Sequence, residues 1–181
     1  LQYLYEFQSM ICELSGMDVA NASLYDGASA AAEACLMAIN HTKRNKVLIS
    51  SMIHPEYINV IKTYLTAKNI NIIILENDNG ITSYESYKKY TDDETACIVV
   101  QSPNYFGLIE NWELFSEQKD KSVLIGIADP ITLSIMNPPG KSGCDIYVGE
   151  GQTLGNYMEF GGPNIGILSC KEFLMRKLPG R

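Results

Sequence analysis

Residues able to do chemistry gather in four short segments: Ser51–His54, Ser102–Gly107, Asp129-Pro130 and Gly149–Thr153. Each follows a run of apolar residues, and each supplies some mixture of hydroxyl, carboxylate, amide or imidazole groups, mostly beside glycine or proline. The last opens a glycine-rich stretch, GEGQTLGNYMEFGGP (Gly149–Pro163), behind the strand-like CDIYV (Cys144–Val148). A glycine loop behind one strand, with the carboxylate of Asp129 ending another, is the pattern of a cofactor cleft. Metal chemistry is disfavoured. The five cysteines (Cys12, Cys35, Cys97, Cys144, Cys170) are dispersed without a C-x-x-C pair, and only His41 and His54 could assist them. Thiols scattered through apolar runs instead predict reduced, buried side chains in a cytosolic protein.

Charge narrows the partners. A formal net charge of -7 and only three arginines, Arg44, Arg176 and Arg181, argue against a nucleic-acid groove. No apolar run approaches the ~20 residues that cross a bilayer, and LQYLYEFQSM lacks the basic and apolar regions of a signal peptide. At 181 residues the chain fits a single domain, 1–181, with one continuous core. Its start without methionine and its end at KLPGR predict a piece of a longer protein.

The elements that must position these segments follow from periodicity. Leu4, Phe7, Ile11 and Leu14 recur at spacings of three and four and predict an amphipathic helix ended by Ser15-Gly16. ASAAAEACLMAI (Ala28–Ile39) predicts a second helix after the turn Tyr25-Asp26-Gly27. The period then changes. KVLIS (Lys46–Ser50), INIIIL (Ile70–Leu75), ACIVVQ (Ala96–Gln101), SVLIGIAD (Ser122–Asp129), CDIYV and NIGILSC (Asn164–Cys170) read as strands covered on both faces. Helices are predicted at Pro55–Ala67, Ser83–Tyr90 and Asn111–Lys119. The alternation implies an α/β fold of three layers, a mainly parallel sheet with helices on both faces. In such sheets the chemistry lies beyond the carboxyl ends of the strands, where the four segments fall.

Long stretches resemble a known family. LYEFQSMICELSGMDVANASLYDGASAAAEA, HPEYINVIKTY, QSPNYFGLIEN, DPITLSIMNPPGKSGCDIYVGEGQTLGNYMEFGGPNIGIL and the closing RKLPGR are similar to the glycine-cleavage P-protein, glycine dehydrogenase (decarboxylating). Within that family they resemble subunit 1, the α subunit of the two-chain bacterial form. The resemblance implies the large domain of type I pyridoxal-phosphate-dependent transferases, in an enzyme that decarboxylates glycine and passes the aminomethyl group to the lipoyl arm of H-protein.

The same resemblance supplies roles and one contradiction. Asp26-Gly27-Ala28-Ser29 matches the element that holds the cofactor's phosphate at a helix N-terminus. A carboxylate there opposes a dianion, and the plainer reading of Asp26 is an N-cap. Asp129 matches the residue that protonates the pyridine nitrogen, or it caps the turn into Pro130. His54 falls near the position that stacks on the ring, or is a hydrogen-bonded loop residue, and His41 reads as a helix-end cation. Holding the cofactor covalently needs a lysine amine. The cofactor-bearing chain of the family carries histidine-lysine where Gln152-Thr153 stands, and neither Lys141 nor Lys171 is placed to substitute. The resemblance therefore implies a chain with no catalytic and no covalent cofactor-binding residue of its own, paired in an α2β2 assembly with a β subunit that carries pyridoxal phosphate. Asp26, His54, Ser102, Asn104, Asp129, Gln152 and Thr153 are the candidates to line a shared cleft. Two alternatives stand beside this: a self-sufficient pyridoxal-phosphate transferase with its lysine elsewhere, and a nicotinamide-binding Rossmann domain, for which GEGQTLG has the wrong glycine spacing and comes late.

Overall fold

The first helix, α1 (Gln2–Ser15), ends where Gly16 turns left-handed at φ 68° and its amide reaches the carbonyl of Cys12. This computed structural model describes residues 1–179, so Gly180 and Arg181 of the closing RKLPGR stretch lie outside the described residues. A two-residue strand, β1 (Val19–Ala20), follows, and then α2 (Gly27–Thr42). Helix α2 is alanine-rich because it lies flat on the sheet. Ala30, Ala31, Ala34, Cys35 and Ala38 are wholly buried, and larger side chains would lift the helix away.

The chain then alternates: β2 (Lys46–Ser50), α3 (Pro55–Thr66), β3 (Asn71–Leu75), a small hairpin of β4 (Asn77–Asp78) and β5 (Ile81–Thr82), α4 (Tyr84–Tyr90), β6 (Thr95–Gln101), α5 (Trp112–Ser116), β7 (Val123–Ile127), β8 (Ile146–Glu150) and β9 (Gly166–Cys170). Seven strands form one sheet in the order β1-β9-β8-β7-β6-β2-β3. The five from β3 to β8 run parallel, while β9 is antiparallel to β8 and β1 antiparallel to β9.

Strand alternation sorts the apolar residues into two cores. Val47 and Ile49, Cys97 and Val99, Val123 and Ile125, and Ile146 and Val148 face α2 and α3. Leu48, Ile98, Val100, Leu124 and Tyr147 face the other way, toward α1, α4 and α5, where Trp112, Phe115 and Tyr87 fill the layer. The predicted three-layer α/β arrangement is what forms. The nearly unbroken apolar runs follow from cover on both faces.

Three local differences matter. CDIYV does not pair from Cys144: the ladder runs from Ile146 to Glu150, two residues later. Asp145 instead turns its carboxylate onto the amide of Leu124 at 2.8 Å and pairs with Lys119. The last predicted strand forms as β9 but reverses direction, so Cys170 sits beside Ile146 and Gly166 beside Glu150. Of the predicted stripe on α1, only Ile11 is fully buried, and Leu4 remains 53% exposed.

Candidate functional site at the carboxyl ends of the strands

Strand register brings the ends of β2, β6, β7 and β8 to one edge of the sheet. Gln101 lies opposite Ile127, and Ile127 opposite Val148. The N-terminus of α2 points at this edge. Asp26 caps it: Oδ1 accepts from the Ser29 amide at 2.6 Å, and the Ser29 hydroxyl accepts in return from the Asp26 amide at 3.3 Å, a reciprocal capping box. The N-cap reading of Asp26 is therefore the geometry found.

Sequence reasoning missed the residue at the centre of this mouth, Glu150. As the last residue of β8 it shares a face with Ile146 and Val148, the face packed on α2. Its Oε2 accepts from the Gly27 amide at 2.9 Å. Its Oε1 accepts from the amides of Gln152 at 3.0 Å and Ile165 at 3.1 Å. The usable signal was a carboxylate between two glycines in GEG, but it carries meaning only with the register that ends β8 on Glu150.

Glycine at position 27 allows a close approach, because a Cβ there would run into the hydroxyl of Tyr57 from α3. Burial first, then the carboxylates of Glu150, Asp26 and Asp129, push the Tyr57 phenol well above its ordinary value. The mouth is thus negatively charged. Among the described residues, the ion pairs are Arg44–Asp120, Lys46–Asp92, Lys88–Glu85 and Lys119–Asp145, and none involves Asp26, Asp129 or Glu150.

The other candidates divide. Asp129 is exposed, and its Oδ1 accepts from the Ile131 amide at 2.8 Å and the Thr153 hydroxyl at 3.2 Å, so it caps the turn through Pro130. Gln152 and Thr153 form a short 3-10 turn beside it. His54 caps α3, its Nδ1 accepting from the Glu56 amide at 3.2 Å, and its ring meets Tyr105 edge-on at 4.9 Å. Its backbone amide donates to Gln101 Oε1 at 2.8 Å. These five residues, Asp26, His54, Asp129, Gln152 and Thr153, stand along the edge with Glu150 and Tyr57.

Ser102 and Asn104 do not. Ser102 is completely buried and Asn104 nearly so, each engaged with Glu110 beneath the surface. The Ser102 hydroxyl accepts from the Glu110 amide at 2.9 Å, and Asn104 Nδ2 donates to Glu110 Oε1 at 3.0 Å and to the Gly80 carbonyl at 2.8 Å. Both Glu110 oxygens also accept from the Thr82 amide. A strand-end position was the right guide to the loop and the wrong guide to where these side chains point, because the loop folds back over the hairpin.

Lysine placement is equally plain. Lys171 follows Cys170, which pairs with the first residue of β8, and its Nζ donates to the Gly16 carbonyl at 3.0 Å. It therefore lies at the edge opposite Glu150. Lys141 also packs near Gly16. At the strand-end mouth the position of interest holds Thr153, a hydroxyl that cannot condense with an aldehyde. Burial raises the thiols of Cys97 and Cys144 and pushes Cys170 up to about 12, which disfavours the nucleophilic thiolate at these three positions. No group of residues suited to hold a metal ion occurs among the described residues. No helix there is long and apolar enough to cross a membrane.

The family profile "Glycine cleavage system P-protein" matches residues 1–181. The chain belongs to the glycine cleavage system P-protein family. It is 48% identical over 184 residues to the "Probable glycine dehydrogenase (decarboxylating) subunit 1" of Syntrophomonas wolfei, covering 100% of this chain and 42% of that protein. It overlays a crystal structure of glycine decarboxylase (P-protein) of the glycine cleavage system, in inhibitor-bound form, with a TM-score of 0.95 and 42% identity, across 100% of this chain and 41% of the other. The chain thus spans about two fifths of the length of the curated relatives it matches. A sphingosine-1-phosphate lyase of Burkholderia pseudomallei shares the fold at 10% identity, with a TM-score of 0.75 over 97% of this chain and 47% of its own. The fold is that of the type I pyridoxal-phosphate enzymes. The Rossmann alternative is overturned by the sheet, whose β9 runs against its neighbours and whose order is not 3-2-1-4-5-6.

Proposed function

We propose that this protein is the subunit of a glycine decarboxylase that does not carry the cofactor. A second chain, the β subunit, holds pyridoxal phosphate in an α2β2 assembly, and the chain described here contributes one wall of a cleft at their shared interface. The complete enzyme releases carbon dioxide from glycine and passes the aminomethyl carbon to the lipoyl arm of H-protein, opening its disulfide. The domain 1–181 acts as one α/β unit of the subunit, working in the cytoplasm.

The observation that carries this reading is the content of the P-protein family's cofactor position in this chain. Thr153 offers a hydroxyl committed to Asp129, and the α2 N-terminus faces the carboxylates of Asp26 and Glu150. A type I site requires an amine at the first place and room for a dianion at the second. The residues present do not fit that group. Asp26, His54, Asp129, Gln152 and Thr153 remain the side chains on offer at the shared cleft, with Tyr57 and Glu150 behind them.

The test is co-expression of the intact chain with its candidate β partner. Glycine-dependent carbon dioxide release should require both polypeptides, and borohydride reduction should fix pyridoxal on the β chain alone. Activity of the intact chain by itself, or pyridoxal fixed on it, would instead establish the self-sufficient transferase.

A further inference from the structure

Glu150 makes an unusual set of contacts for a residue at a strand end. Its two oxygens collect backbone amides from three separate segments: Gly27 at the start of α2, Gln152 in the loop after β8, and Ile165 just before β9. Backbone amides that converge on one point in this way suit an oxyanion, and here they converge on the carboxylate of Glu150. The first turn of α2 is where the helix's unpaired N–H groups and dipole favour negative charge. Gly27 lets Tyr57 close over the spot, and Gly166 lets the strand β9 pass against the carbonyl of Asp26, where any Cβ would collide. The glycines of this region therefore serve close packing around an anion that is already part of the chain.

We propose that Glu150 is a tethered substitute for a ligand's phosphate: its carboxylate fills the oxyanion position of the fold and closes that position to free phosphate compounds. This rests on the reading of the chain as the subunit without cofactor, and it adds a cause that the missing lysine does not supply. An incoming phosphate dianion would have to displace Glu150 from all three amides and then lie beside Asp26, and among the described residues no lysine or arginine forms an ion pair with either carboxylate. Restoring an amine at residue 153 would leave the second obstacle in place.

The proposal is tested on the intact chain by thermal unfolding in inorganic phosphate, in acetate, and in chloride at matched ionic strength. Wild-type protein is expected to show no saturable stabilisation by phosphate or acetate over chloride, only the gradual rise that excluded salts give. Glu150→Ala is expected to unfold at a lower temperature and to regain stability saturably with phosphate or acetate, but not with chloride. Saturable stabilisation of the wild type by phosphate, or a Glu150→Ala protein indifferent to oxyanions, overturns the proposal. Should Glu150→Ala fail to accumulate, Glu150→Gln is compared by hydrogen exchange. The amides of Gly27, Gln152 and Ile165 are expected to exchange on the order of tenfold faster than in wild type, and unchanged exchange also overturns it. Pyridoxal trapped by borohydride on the wild-type chain would defeat the non-carrier reading itself, whereas absent oxyanion rescue defeats only the role of Glu150.

Discussion

The hydroxyl of Thr153 donates to the carboxylate of Asp129 at 3.2 Å, tying the loop after β8 to the loop after β7. The proposed reading matches these two positions to an imine-forming amine and to the acid that faces the cofactor's ring nitrogen. Here the two side chains satisfy each other.

Thr153→Lys is therefore expected to restore the amine without restoring the site. After mixing with pyridoxal phosphate and removal of the free cofactor, the intact variant should show no aldimine band and no borohydride-fixed label at residue 153. The double variant Thr153→Lys with Glu150→Gly should acquire both. Strong colour in the single variant would show that the helix N-terminus is open after all.

Glu110 is expected to be worth more to stability than its loop position suggests. Its buried oxygens serve the Thr82 amide and Asn104 together. Glu110→Ala leaves the Thr82 amide without its acceptor and Asn104 Nδ2 with only the Gly80 carbonyl, and should cost about 2–4 kcal/mol, measured as a shift in the urea midpoint. Glu110→Gln keeps one acceptor and should lose roughly half as much. Equal losses in the two variants would argue against the paired-acceptor account.

Gly27→Ala should destabilise by about 1–3 kcal/mol through overpacking against the Tyr57 hydroxyl. Adding Tyr57→Phe removes the oxygen that is struck and should return part of the loss. A double-mutant cycle measures this, and strict additivity of the two changes would count against the contact.

Alkaline pH should weaken the fold. Burial raises the thiols of Cys97, Cys144 and Cys170 and the phenols of Tyr57 and Tyr147 above their ordinary values. The folded chain thus holds these protons after the unfolded chain has lost them. Their contribution is complete below pH 9, the ordinary value of a thiol, and declines as pH rises beyond it. Each such group adds a slope of about 1.4 kcal/mol per pH unit once the unfolded form ionises. Chemical denaturation from neutral pH upward should show the decline. Spectrophotometric titration should find three tyrosines that ionise late, Tyr57, Tyr147 and Tyr87.

Much of the architecture was readable because six strands and five helices carry either a sustained period or a strong composition. What escaped lacked both. Strands β1, β4 and β5 have two residues each, too few to show alternation. The direction of β9 is invisible in NIGILSC, since a strand buried on both faces reads alike in either sense. At the site, Asp26 and Asp129 were found because caps and strand ends have local signatures. Glu150 was not, because its partners Gly27 and Ile165 lie 123 and 15 residues away and only the register of β8 aims it at α2. Ser102 and Asn104 show the converse: a loop position fixes a neighbourhood, but the long-range partner Glu110 decides which way a side chain turns.

The alanine run that seats α2 against the sheet has a kinetic corollary. A helix held so low cannot slide or tilt without opening voids beneath it, so the rim above β7 and β8 is shaped before any encounter. Docking on such a rim forfeits little motional freedom. Substitutions along it should therefore alter how long a complex survives far more than how quickly it forms.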